Sequence, residues 1–260
     1  MKFPIFQVDA FTNTIFGGNP AAVMPLKQWL PEHTMQNIAM ENNLSETAFY
    51  VQEHGAIGLR WFTPELEIDL CGHATLATAH VLFSELGFTG NELQFDTRSG
   101  RLSVRKKGDG YIMNFPSDKM NKVDAPAVLF QALGIPPTNQ VFKSDDYMIV
   151  LDKEEEVASI HPDSTLLKTI EARGIIVTAP GDTVDFVSRF FCPQVGIDED
   201  PVTGSAHTKL APYWANRPEK NQLHALQISS RQGELRINYL GERVEIEGKA
   251  ITFLRGEVEI

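Results

Sequence analysis

An α+β fold of two pseudo-symmetric domains is predicted by three features of the sequence: an ordered internal repeat, a strand and helix plan that recurs in each half, and 42% apolar residues to build a core. The repeat runs from Arg60-Trp61-Phe62-Thr63-Pro64-Glu65-Leu66-Glu67-Ile68-Asp69 to Arg189-Phe190-Phe191-Cys192-Pro193-Gln194-Val195-Gly196-Ile197-Asp198, at a constant offset of 129 residues. After a three-residue insertion in the second copy, Gly72-His73-Ala74-Thr75 and Ala79 answer Gly204-Ser205-Ala206-His207 and Ala211. Upstream, Thr47-Ala48 is echoed by Thr178-Ala179. One matching dipeptide is common by chance; an ordered series is not.

Taken in order, Ile5 to Val8, Glu46 to Val51 and Leu59 to Phe62 have the β-branched and aromatic content of strands. From His73 to Leu86 the chain is rich in Ala and Leu, with no Pro or Gly before Gly87, which predicts an apolar, buried helix closed by a glycine. Tyr111 to Phe115 reads as a strand, and the stretch from Pro116 to Pro126 as the boundary between halves. The expected domains are therefore 1–117 and 118–260, with the C-terminal strand available to complete the first. In the second half, Ser205 to Trp214 opens a helix that Pro212 should shorten. The alternating runs Glu234 to Tyr239, Val244 to Glu247 and Ile251 to Leu254 suit hairpins with one wet face.

Composition excludes several functions. The chain has 23 basic and 34 acidic residues, a net charge of −11, and so repels phosphate backbones and anionic membranes. Nucleic acid and membrane are excluded as expected partners. Cys71 and Cys192 are too far apart for a CxxC pair and too few for a disulfide scaffold, so both are expected as free thiols. The start, Met1-Lys2-Phe3-Pro4-Ile5, lacks a signal peptide's apolar region, and the expected compartment is cytoplasmic. Gly17-Gly18-Asn19-Pro20 is a turn signature and not a GxGxxG, and no P-loop occurs. His73 and His80 lack the Glu of an HExxH and a third ligand, so no metal is expected. Gly204-Ser205-Ala206-His207 lacks the second Gly of a nucleophile elbow.

The paired loop–helix junctions say more. Helices beginning at Gly72-His73-Ala74 and at Gly204-Ser205-Ala206 each offer unpaired backbone N–H groups and a positive dipole end, and glycine at both starts allows a ligand close. Convergence of these ends would make the cleft between halves a receptor for carboxylate or carbonyl oxygens; ordinary, internally satisfied caps are an equally good account of them. The repeat also breaks its symmetry: Glu46, before Thr47-Ala48, answers Val177, and Cys71 answers Thr203. One half thus carries an acid. A carboxyl group at a strand start in a closed apolar cleft can both remove and return a proton, although an isolated Glu there is more often a solvated strand end. Asp200 in Asp198-Glu199-Asp200-Pro201 is equally ambiguous, since an acidic turn before Pro is usually only a turn.

Seven blocks, taken together, resemble the PhzF family, the phenazine-biosynthesis-like isomerases. They are Val8-Asp9-Ala10-Phe11-Thr12, Phe16-Gly17-Gly18-Asn19-Pro20-Ala21-Ala22-Val23, Asn43-Leu44-Ser45-Glu46-Thr47-Ala48-Phe49, Leu70-Cys71-Gly72-His73-Ala74-Thr75, Glu199-Asp200-Pro201-Val202-Thr203-Gly204-Ser205-Ala206-His207, Leu210-Ala211-Pro212-Tyr213-Trp214 and Leu254-Arg255-Gly256-Glu257. The resemblance implies the diaminopimelate-epimerase-like fold: two similar α+β domains, each a curved, barrel-like mixed sheet around a central helix, with the site in the cleft between them. It implies cofactor-independent proton shuttling, as in dihydro-3-hydroxyanthranilate. Carried over by motif, Glu46 is acid and base, His73, Asp200 and Ser205 position and polarise the substrate, and Gly72, Ala74 and Gly204 line its binding site. The expected partners are a small carboxylated metabolite and, as an assembly, a homodimer. The resemblance leaves the substrate open and does not imply phenazine synthesis. Two alternatives stand beside it: an amino-acid racemase or epimerase, with Cys71 in the place of one thiol, and a non-catalytic binder of a small metabolite.

Overall fold

Residues Ala250–Glu259, the last strand of the chain, run antiparallel to Lys2–Ala10, the first, from Lys2 opposite Glu259 to Ala10 opposite Ala250. That pairing decides how the chain divides. In this computed structural model, which describes residues 1–53, 55–138, 140–216 and 220–260, one unit is Met1–Asn114 with Glu245–Ile260 and the other is Phe115–Val244. The boundary expected after residue 117 falls after Asn114, and the C-terminal strand, expected as available to complete the first half, lies with the first unit as part of residues 245–260. Backbone pairing overrides proximity in sequence, because an unpaired edge of this length would leave a row of N–H and C=O groups unmet.

The first unit comprises β1 (Lys2–Ala10), β2 (Asn19–Leu26), α1 (Glu32–Asn42), β3 (Glu46–Glu53), β4 (Ala56–Phe62), β5 (Glu67–Ile68), α2 (Gly72–His80), β6 (Glu92–Thr97), β7 (Gly100–Lys107) and most of β8 (Gly110–Pro116). Its sheet is mixed: β2 is antiparallel to β1 and parallel to β3, and β4 is antiparallel to β3 and parallel to β6. α2 packs against β1, β2, β3 and β7, and every residue from His73 to His80 is buried. The sheet therefore curves around a central helix. The helix expected over His73 to Leu86 changes pitch on the way, with a π-helical turn at Val81–Glu85 before Gly87 at φ +69°. The turn signature at Gly17 to Pro20 is half turn and half strand. Gly18 has φ +61° and a Cβ there would lie 2.1 Å from the Ala10 carbonyl oxygen, whereas Asn19-Pro20 already begins β2.

The second unit holds β9 (Asn121–Lys122), α3 (Ala127–Leu133), β10 (Val141–Lys143), β11 (Tyr147–Val150), α4 (Glu154–Ala158), α5 (Ser164–Leu167), β12 (Ile175–Pro180), β13 (Phe186–Cys192), β14 (Ile197–Asp200), α6 (Gly204–Ala215), β15 (Gln222–Gln227), β16 (Gly233–Tyr239) and the start of β17 (Arg243–Gly248); β18 (Ala250–Glu259) returns to the first unit. This sheet is also mixed, with β11 parallel to β12 and β13 parallel to β15. The short helices cover a core that includes Leu129, Ile149, Leu167, Val177 and Phe191. Contrary to expectation, Pro212 does not shorten α6, which runs on to Ala215. A proline removes the N–H that the carbonyl four residues back would accept, and here the Asp118 N–H donates to that Thr208 carbonyl at 3.2 Å instead.

The two units repeat each other in detail. Arg60 donates from Nε to Glu67 at 2.7 Å and its guanidinium lies 5.2 Å from the Phe62 ring; Arg189 does the same to Glu199 at 2.7 Å, with Phe191 at 4.9 Å. The pairings correct the alignment at two places. Phe62 lies opposite Glu67, and Phe191 opposite Glu199, so the three extra residues lie between Phe191 and Glu199, where Cys192 pairs with Ile197 and the register shifts, and not after Asp198. Phe49 lies opposite Arg60 and Val177 opposite Arg189, which makes Val177 the counterpart of Phe49. Counting back, the counterpart of Glu46 is Gly174. Among the described residues, no helix is long and apolar enough to cross a membrane.

Candidate active site

Two loop–helix junctions carry the candidate residues, one in each unit. In the first, Glu46 begins β3 opposite Ala21 of β2 and is 7% exposed. Cys71, at the N-cap of α2, and His73, in its first turn, are 6% and 4% exposed. His73 Nε2 stands 2.9 Å from Glu46 Oε2. The oxygen lies off the N–H direction, so this is a charge contact, and both atoms lack a hydrogen-bond partner. The other ring nitrogen, Nδ1, is 3.1 Å from Asn19 Nδ2 and 3.5 Å from Cys71 Sγ. Burial opposes charge on His73, but the adjacent Glu46 carboxylate favours it, and the imidazole pKa is raised above its usual value. Burial, and then the charge of Glu46, pushes the Cys71 thiol up to about 11. The Ala74 N–H is directed at the Cys71 sulfur, and Gly72 is the first residue of the helix.

In the second unit the Thr203 hydroxyl, at the N-cap of α6, donates to Asp200 Oδ2 at 2.5 Å. Gln227, fully buried, fastens this loop: its Oε1 accepts the Thr203 N–H at 2.8 Å and its Nε2 donates to the Asp200 carbonyl at 2.7 Å. Ser205, one residue past the helix start at Gly204, accepts from Arg173 Nη1 at 3.0 Å. Since Arg173 donates, the Ser205 proton is left for another acceptor. Arg173 is itself held by Asp146 through Nε and Nη2, at 2.9 and 2.5 Å.

Placed on the observed register, the two junctions differ chemically. Cys71 answers Thr203, His73 answers Ser205, and Thr75 answers His207; the last two each close a bond to the N-cap carbonyl, Thr75 to Cys71 at 2.5 Å and His207 to Thr203 at 2.8 Å. Where the first unit has Glu46, the second has Gly174, and a Cβ there would lie 2.3 Å from the Phe190 ring. No carboxylate fits that position. Asn19, Gln227 and Arg173 were not singled out by the sequence as site residues. Asn19 carries a signal, lying in the block from Phe16 to Val23; Gln227 and Arg173 reach their partners across 24 and 32 residues, without any short-range pattern.

His207 gives a prediction of its own. Burial pushes its pKa down to about 4, so it folds neutral. Its contribution to stability is complete above the unfolded value near 6.5 and is lost as pH falls toward 4; His73, raised, acts with the opposite sign. Urea unfolding at about pH 7.5 and about pH 4.5 should show roughly 2 to 3 kcal/mol less stability at the lower pH that His207→Asn does not share. Equal losses in both proteins would remove His207 as the cause.

Residues 8–256 match the sequence model of the family described as phenazine biosynthesis-like protein. An uncharacterized isomerase of Pseudomonas aeruginosa is 52% identical over 260 residues, covering 100% of both chains. The crystal structure of a PhzF family protein from Enterococcus faecalis aligns with a TM-score of 0.97 at 49% identity, again over 100% of each chain. A hydroxyproline epimerase from Agrobacterium vitis shares the fold alone, at a TM-score of 0.60 and 9% identity, with 99% of this chain and 92% of that one covered. With the family model matched over residues 8–256 and the first two of these relatives aligned over their full length, the chain belongs to the PhzF family of phenazine biosynthesis-like isomerases.

Proposed function

We propose that the protein is a cofactor-independent isomerase that shuttles a proton within a small carboxylated metabolite, with Glu46 as both acid and base. One observation carries this reading: Glu46 is a buried carboxylate whose Oε2 meets only the His73 ring, in a charge contact off the hydrogen-bond direction, while the equivalent position in the second unit is closed by Phe190 packed on Gly174. A single carboxylate can take an acidified proton from one atom of a conjugated system and return it to another on the same face. His73, 2.9 Å from Glu46 and with its pKa raised by that neighbour, stabilises the negative charge of a forming enolate oxygen. Asp200, fixed by Thr203 and Gln227, orients the substrate, and Ser205, with its proton directed away from Arg173, donates to it. The backbone N–H groups at Gly72, Ala74 and Gly204 add the positive ends of α2 and α6.

A racemase with two thiols is disfavoured by the same geometry. Thr203 stands where a second thiol would be needed, and Cys71, pushed up to about 11, is a neutral thiol at neutral pH. A thermal-shift screen of small carboxylated metabolites, followed by incubation of each stabilising compound in D₂O, tests the reading. The expected result is deuterium incorporation with isomerisation, retained for the most part in Cys71→Ala, and no Cα inversion of amino acids. Inversion at Cα that Cys71→Ala abolishes would make the protein an epimerase.

A further inference from the structure

We propose that Glu46, Cys71 and His73 also form a binding site for a thiophilic divalent cation, Zn²⁺ being the best match, and that the bound ion takes Glu46 out of acid–base use. The site uses the residues of the proposed proton shuttle, but ion binding is measurable without turnover. One ligand atom from each of the three side chains lies within 4.8 Å of the others, and all three residues are buried. Ions of this kind bind thiolate, imidazole and carboxylate at roughly 2.0 to 2.3 Å, which in a tetrahedron places ligand atoms about 3.3 to 3.6 Å apart. Cys71 Sγ and His73 Nδ1 are already 3.5 Å apart. A Glu46 carboxylate oxygen lies within 4.8 Å of the other two ligand atoms and, drawn in to bonding distance, completes a set of three. A sulfur, a nitrogen and an oxygen select Zn²⁺ over Mg²⁺ or Ca²⁺, which prefer oxygen alone.

Two further observations point to the same ligand. Glu46 Oε2 and His73 Nε2 are buried with each other at 2.9 Å, off the hydrogen-bond direction, so the carboxylate keeps lone pairs free for an ion. A divalent cation with one thiolate and one carboxylate is neutral overall, the state that burial favours. On coordination the Cys71 sulfur, and His73 Nδ1 where it is protonated, release their protons to solvent and form the metal–sulfur and metal–nitrogen bonds; nothing is oxidised or reduced. The positive end of α2 opposes the cation but favours the thiolate at the N-cap. Three protein ligands leave a fourth position, open to water or to a carboxylate of the metabolite.

The test is a titration of chelator-treated full-length protein with Co²⁺, followed by absorption spectroscopy. The expected result is one equivalent of Co²⁺ with tetrahedral visible bands and a near-ultraviolet thiolate charge-transfer band, both displaced by one equivalent of Zn²⁺. Cys192→Ser should keep the charge-transfer band and Cys71→Ser should lose it, with circular dichroism showing both folded. Glu46→Gln should weaken Zn²⁺ by more than about tenfold. Folded wild-type protein without a charge-transfer band, or a band that survives in Cys71→Ser, would overturn the site. If Cys71→Ser does not fold, mass spectrometry of alkylated wild-type protein decides: Zn²⁺ should protect Cys71 and leave Cys192 unaffected, and equal labelling with and without Zn²⁺ would reject the proposal. Loss of the acid–base reading shows separately, as a Glu46→Gln variant that still turns over while the Co²⁺ band in wild type persists.

Discussion

Glu46→Gln should cost on the order of 10² to 10⁴ in turnover, a barrier increase of about 3 to 5 kcal/mol, while binding of the metabolite is kept. The amide preserves the shape and polarity of the side chain but cannot accept and return a proton. Because Glu46 is 7% exposed at the start of a paired strand, a substitute of equal size leaves β3 and its partners β2 and β4 in place. The measurement is deuterium incorporation from D₂O into a metabolite that both proteins bind, with thermal shift as the check on binding. Undiminished exchange in Glu46→Gln would move the acid–base role to Asp200. Binding without any exchange in wild-type protein would make this chain a metabolite binder. The expected split, kcat reduced and affinity retained, is the signature of a group that acts only in the transition state.

Asp146→Asn should destabilise the second unit by about 3 to 5 kcal/mol, on the order of 10 °C in melting temperature. Asp146 has no exposed surface, and its carboxylate accepts from Arg173 and lies 3.1 Å from Lys209 Nζ. Lys209, on α6, is itself 5% exposed, and its other carboxylate partner is Asp118, also at 3.1 Å. Removing the charge leaves two cations facing one partly exposed acid, and the buried ammonium bears most of the penalty. Arg173 also loses its bidentate anchor, and with it the fixed donor that holds the Ser205 hydroxyl. A calorimetric scan of wild type and variant measures the effect. A change below about 1 kcal/mol would show that the cluster is solvated and contributes little.

Much of this molecule is legible along the chain because the relevant forces are local. Apolar content and glycine placement mark α2 and α6, alternation marks β16 and β17, and the repeat of Arg60 to Phe62 in Arg189 to Phe191 reports the same ion pair and ring stacking built twice. The family motifs name Glu46, His73, Asp200 and Ser205, since each stands in a short block whose backbone conformation depends on its neighbours. Three things were settled only by tertiary structure. The first is register: hydrogen bonding across strands pairs Val177 with Arg189, so Gly174, and not Val177, answers Glu46, and no alignment of isolated dipeptides contains that information. The second is where the units divide, after Asn114 and again after Val244, because β18 pairs with β1 along its length and fixes which strands go with the first unit. The third is the bracing of the site by Asn19, Gln227, Arg173, Asp146 and Lys209, polar groups that reach their partners across tens of residues. Burial makes each of them find a partner, and only the folded backbone determines which one is near.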